Sequence, residues 1–214
     1  MRRASRNLHR SGRSRAYSER VYARHVVPEA PLDRDENGLA AAGAGWFVLS
    51  ARDARWRERP GRGQTLVFEG DTDFLQIGLQ LAVLGPGELL SMYHWEADEE
   101  DFLVLAGEGL LLIEGEERPL RAWDFVHCPP EAAHTIVGAG RAPCVVLAVG
   151  ARERTTTVRP DGRLDVAEGW GGYPVDEAAS RYDAGVDVET SDPEQAYARF
   201  EDSRPVPYGG WLPD

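Results

Sequence analysis

From residue 74 onward, apolar and polar positions alternate with a period of two. Ile77, Leu79, Leu81 and Val83 interleave with Gln76, Gly78, Gln80 and Ala82, the pattern of a strand with one buried face. Gly85-Pro86-Gly87 stops it. Further short strands are predicted at 102–106, 110–114, 118–121, 124–128, 134–137 and 144–149. The breaks between them fall at Gly107-Glu108-Gly109, Gly115 and Pro129-Pro130. Many short strands closely spaced between Gly and Pro turns predict an all-β antiparallel sandwich or barrel. There is no βαβ alternation and no internal repeat.

The flanks read differently. Residues 29–73 form a lead-in arm with short strands expected at 46–49 and 65–68. The tail, 151–214, carries one well-signalled helix: Ser191 or Asp192 caps it, Pro193 suits its first turn, and Glu194 through Phe200 continue it. A second short helix is expected over 176–182. The terminal Trp211-Leu212-Pro213 is apolar and is expected to dock on the barrel or on a second subunit. Residues 1–28 form a basic extension expected to be disordered. The chain therefore divides into 1–28, 29–73, 74–150 and 151–214.

Charge narrows the partners. All 24 basic residues are Arg, which fits a high-GC, bacterial genome. Eight of them stand in the first 25 residues against one acid; the rest of the chain has 16 Arg against 35 acids. So acidic a body is a poor partner for nucleic acid or anionic lipid. No run approaches the roughly 20 apolar residues of a membrane helix. No apolar stretch near the N-terminus resembles a secretory signal, so a cytoplasmic location is expected. Cys128 and Cys144 make no disulfide framework and read as buried, reduced thiols.

The chemistry concentrates around residue 94. His94 and Glu96 are two apart, which on a strand puts both on one face. A turn at 97–99 lets Glu100 return with the same facing, and His134 opens another strand after the Pro-Pro break. Imidazole and carboxylate together suit a divalent metal ion: Fe(II), Mn(II), Zn(II) or Ni(II). A cation would also relieve repulsion between Glu96 and Glu100. Asp98 and Asp101 are expected to be exposed, and His127 to be structural or to support the ligands. Tyr93 and Trp95 should face away from His94, whereas Phe102 and Val104 share the facing of Glu100 and should line a pocket.

These residues resemble the cupin superfamily. Its first motif is matched by Gly87…His94-Trp95-Glu96…Glu100…Gly107, and its second by Trp123-Asp124…Pro129-Pro130-Glu131-Ala132-Ala133-His134…Gly138. The resemblance covers about residues 74–150 and implies an antiparallel double-stranded β-helix, the jelly-roll or cupin barrel. The departures are specific. Glu96 stands where the family has its second His, Trp123 and Glu131 replace motif glycines, Gly138 replaces an Asn, and the first spacer is one residue longer. By resemblance His94, Glu100 and His134 carry over as metal ligands. Glu96 matches in position only; it is expected as a fourth ligand or, uncoordinated, as a catalytic general base. Glu99 replaces Glu100 if the turn differs by one residue.

Two functions follow from the resemblance. One is a metal-dependent enzyme acting on a small oxygenated or carboxylated metabolite, as a dioxygenase, isomerase or similar. The other is a non-catalytic small-molecule-binding or accessory cupin. A homodimer is expected, since cupin barrels commonly pair through N-terminal strands. Trp46, Phe47, Trp170, Phe200 and Trp211 offer apolar surface for it.

Overall fold

A computed structural model describes residues 26–212; the basic segment 1–25 lies outside the described residues. The lead-in contributes β1 (Leu32–Asp35), β2 (Gly38–Ala41), β3 (Trp56–Glu58) and β4 (Gln64–Val67). The barrel stretch supplies β5 (Ile77–Leu84), β6 (Trp95–Glu96), β7 (Glu100–Ala106), β8 (Glu108–Ile113), β9 (Glu116–Arg121), β10 (Phe125–Cys128), β11 (His134–Gly138) and β12 (Cys144–Ala151). The tail adds β13 (Thr156–Val158), β14 (Leu164–Val166), β15 (Gly171–Gly172), α1 (Glu177–Ser180), α2 (Pro193–Ala196) and β16 (Arg204–Val206). Among the described residues no helix is long and apolar enough to cross a membrane.

The fold is all-β and antiparallel, as expected from the alternation, and it is the jelly-roll that the motif resemblance implies. One seven-stranded sheet runs β10-β7-β12-β5-β4-β3-β16, and a three-stranded sheet runs β11-β8-β9. Leu84, Phe102, Val104, Ile136 and Val146 are essentially inaccessible and fill the space between the two sheets. The large sheet recruits β3 and β4 from the lead-in and β16 from the tail. Trp211 lies edge-on to Trp56 at 5.6 Å and also packs near Tyr208. The terminal aromatic thus docks on the barrel of its own chain.

Three local expectations are corrected. The stretch 46–49 forms no strand; Trp46 makes a single parallel bridge to Glu29. Pro28 and Pro31 flank that bridge and lack the N–H needed to extend a ladder. The helix expected to run to Phe200 ends at Ala196, with Tyr197 leaving helical backbone at φ −98°, ψ 4°. Tyr197 and Phe200 instead stack on Arg62, whose guanidinium sits 4.1 Å over the Tyr197 ring. Asp98, expected to be exposed, is buried; the reason lies in the site it supports.

Candidate metal centre

His94 and His134 face each other across an isolated antiparallel bridge. The His134 N–H donates to the His94 carbonyl at 2.8 Å, and the His94 N–H donates back at 3.2 Å. Residues paired in this way project to the same side of a sheet. The two imidazoles therefore stand side by side, with ring centroids 5.1 Å apart. Both are buried.

Each ring is anchored in the same manner. Nδ1 of His94 lies 2.9 Å from the Met92 carbonyl, and Nδ1 of His134 lies 2.9 Å from the Ala132 carbonyl. A carbonyl oxygen only accepts, so each Nδ1 carries the hydrogen. In the neutral ring the lone pair is then on Nε2. Those two Nε2 atoms point at carboxylates: His94 at Glu96 Oε1, 3.3 Å away, and His134 at Glu100 Oε2, 3.2 Å away. Two acceptors in contact require a cation, either a proton or a metal ion.

Strand alternation delivers the carboxylates. Glu96 follows His94 by two residues on β6, and Glu100 opens β7 after a three-residue crossing. Asp98 holds that crossing in place. Its buried carboxylate accepts from the Arg154 and Thr155 backbone N–H groups and from the Thr155 hydroxyl at 2.7–3.0 Å, and it pairs with the Arg154 side chain. Burial alone would raise its pKa, but these donors outweigh burial and hold it below the ordinary carboxylate range. On the far side, the Glu131 N–H donates to the Glu96 carbonyl at 2.8 Å.

The donor atoms of His94, Glu100 and His134 all lie within 4.8 Å of one another. Bonds of roughly 2.0–2.2 Å place two donors of one ion at most about 4.3 Å apart, so a cluster of this size needs at most a small inward shift to share one. The donor set fits a divalent cation: two imidazoles in the metal-binding tautomer, each held through Nδ1 by a backbone carbonyl, and a carboxylate. Glu96 stands outside this group of three but touches His94 Nε2. His127 is half exposed and pairs with Asp101 at 2.7 Å on the outer wall.

Phe102 and Val104 do not line a cavity. They are buried in the core, and the Phe102 ring backs the His134 imidazole at 5.3 Å. Tyr93 faces away and is buried, as expected from alternation. Cys128, directly opposite Glu100 in the β10–β7 register, abuts His134 from the core side.

A cavity of about 330 Å³ opens beside the centre, with Glu96 and Glu100 in its wall. The remaining lining comes from β4, β5 and β12, from residues just after β4 and β12, and, further along the tail, from Val166, Trp170, Tyr173 and Pro193. Tail strand β15 pairs directly with β6, placing Gly171 opposite Glu96. A Cβ on Gly171 would come within 2.2 Å of the Trp95 carbonyl, so only glycine permits this approach. Tyr173 and Trp170 then pack over the His94 ring at 5.9 and 6.3 Å. Burial first, then Tyr197 and Glu96 nearby, raise the Tyr173 pKa and keep its phenol protonated. The tail's share in this wall has no local sequence signal beyond the Gly-Gly pair between two aromatic residues.

Residues 80–150 match the family model of the cupin domain. No curated protein matches the chain in sequence. Among solved structures, an Acidithiobacillus ferrooxidans protein proposed to be a sugar phosphate isomerase is 29% identical, over 43% of this chain and 67% of that one, with a TM-score of 0.36. A cupin 2 conserved barrel domain protein from Salinispora arenicola is 24% identical over 41% and 73% of the two chains, TM-score 0.37. A sugar phosphate isomerase from Silicibacter pomeroyi is 23% identical over 56% and 81%, TM-score 0.39.

Proposed function

We propose that this protein, whose residues 80–150 match the cupin domain model, binds one divalent metal ion through His94, Glu100 and His134. Glu96 serves as a fourth ligand or as a base beside the ion. The bound metal would act on a small oxygenated metabolite held in the adjoining cavity. One observation carries this reading: two imidazoles, both tethered through Nδ1 to a carbonyl, aim Nε2 at carboxylates across 3.2–3.3 Å. A buried structural histidine has no need of that arrangement twice over.

When bound, the ion would supply Lewis acidity at its open positions. The chain's own groups divide the remaining work. Glu96 lies on the cavity side and can accept a proton from bound substrate. The protonated Tyr173 and Trp170 exclude water over His94. Asp98 fixes the spacing between Glu96 and Glu100. The carboxylate-rich set is a hard one and favours Mn(II), Fe(II) or Ni(II) over copper.

Elemental analysis of untagged protein tests the centre. Near one equivalent of metal is expected for the native chain and almost none for His134→Ala; metal-free native protein refilled by no divalent ion would end the proposal. A cytoplasmic homodimer that avoids nucleic acid is part of the same reading. It is supported by the acidic body and by exposed Trp46 and Val48 on the lead-in. Light scattering after size exclusion tests the dimer.

A further inference from the structure

The charges in the cavity wall point to its ligand. Among the described residues lining it, Arg152 is the one cationic side chain, beside the carboxylates of Glu69, Glu96 and Glu100. That guanidinium is already committed. It grips Glu69 through both terminal nitrogens and donates from Nη1 to the Phe74 carbonyl at 2.7 Å. Its remaining edge rests on the Gly78 backbone: a Cβ there would sit 2.9 Å from Nη2 and 3.1 Å from Nε. The Phe74 N–H also donates to Glu69 Oε1 at 2.6 Å. Arg152 and Glu69 thus form a closed neutral wall element.

A divalent ion with Glu96 and Glu100 is also neutral overall. Among the described lining residues no uncommitted positive charge is left for a phosphate or a second carboxylate on the ligand, and an anionic group desolvated without a partner is strongly disfavoured. What the wall does offer is neutral: Gln80, Thr156, the apolar strand positions and the aromatic ring of Trp170. Its volume, about 330 Å³, suits a small metabolite. Trp170 is half-buried, and its indole N–H donates to the Ser191 carbonyl at 3.0 Å, which fixes the ring.

We propose that the cavity takes an uncharged polyhydroxy compound, of the class of free sugars and polyols, with hydroxyls toward the ion, Gln80 and Thr156, and a C–H face on Trp170. The phosphorylated form of the same compound is rejected. The inference rests on the metal-centre reading above.

Calorimetry on the Mn(II)-loaded full chain tests it with D-glucose, D-mannose and myo-inositol against glucose 6-phosphate, mannose 6-phosphate and succinate. At least one neutral probe is expected to bind, with each anionic probe weaker by about tenfold or more, the size of one uncompensated charge contact. Trp170→Ala should weaken the neutral probe about tenfold while Trp170→Phe restores most of it, as expected for ring stacking. Glu69→Gln frees Arg152 and should narrow the gap between sugar and sugar phosphate. A phosphate ester that binds the native protein as well as its parent sugar overturns the inference, as does the failure of every neutral probe on protein shown by elemental analysis to hold Mn(II). If the protein takes up no Mn(II), the metal-centre reading has failed instead, and the same titration on the metal-free chain decides whether the neutral preference survives it.

Discussion

Protonation and metal binding compete at His134, and its surroundings set the size of the competition. Burial disfavours the imidazolium, but the Cys128 thiol and the Glu100 carboxylate more than offset burial and raise the pKa to about 10. An ion needs the same Nε2, so it must displace that proton. Below the raised pKa, each pH unit then changes the apparent metal affinity about tenfold, or about 1.4 kcal/mol. At pH 7 the ion should bind roughly a thousandfold more weakly than it would above pH 10. The metal-free protein has the opposite dependence. Its stabilisation from His134 is fully present below the ordinary histidine pKa of about 6.5, and is lost as pH rises through about 10. Competition of Mn(II) against a chelator between pH 6.5 and 8.5, corrected for chelator protonation, reads the affinity. Calorimetry in buffers of different ionisation enthalpy counts the protons, and about one proton released per ion is expected. An affinity flat in pH with no proton released would refute both the raised pKa and the role of His134 as ligand.

Three stability predictions follow from the supports of the site. Glu131 and Trp123 are exposed and adopt φ of +71° and +74°, a region unfavourable to any residue with a Cβ, so Glu131→Gly should stabilise the fold by about 0.5–1 kcal/mol in urea titration; a loss of stability would show that the Glu131 side chain matters more than its backbone. Asp98→Ala strands the Arg154 and Thr155 donors and should cost about 2–4 kcal/mol. Because the native Asp98 pKa is lowered, its contribution is present above about pH 4 and fades as pH falls through the lowered value; equal urea midpoints for Asp98→Ala and native protein at pH 7 would count against the tether. Phe102→Ala removes a core ring that also backs His134, and should cost about 3–5 kcal/mol and weaken metal retention in dialysis; a destabilised variant that keeps its metal would separate the core from the centre.

How far the fold was legible depends on the range over which each feature is specified. The barrel strands were readable because alternation is a property of neighbouring residues: Ile77–Leu84 interleaves its faces within eight positions. The candidate cluster was readable through the motif that carried His94, Glu100 and His134, while two-residue spacing fixed only the common facing of His94 and Glu96. Asp98 was not readable, because an acid inside an acidic run looks solvated, and the groups that bury it, Arg154 and Thr155, lie 56 and 57 residues away. The tail wall was hidden likewise: β15 is two glycines with no side chains to alternate, defined only by pairing with β6. The strand expected at 46–49 failed because apolar composition says nothing of whether a partner backbone can donate. Trp123 and Glu131 are the most instructive positions. They depart from the motif's glycines in identity, yet both keep the left-handed backbone that those glycines would supply. The turns before β10 and β11 therefore keep that backbone without glycine, and a motif glycine is better read as a demand on backbone conformation than as a demand for a particular residue.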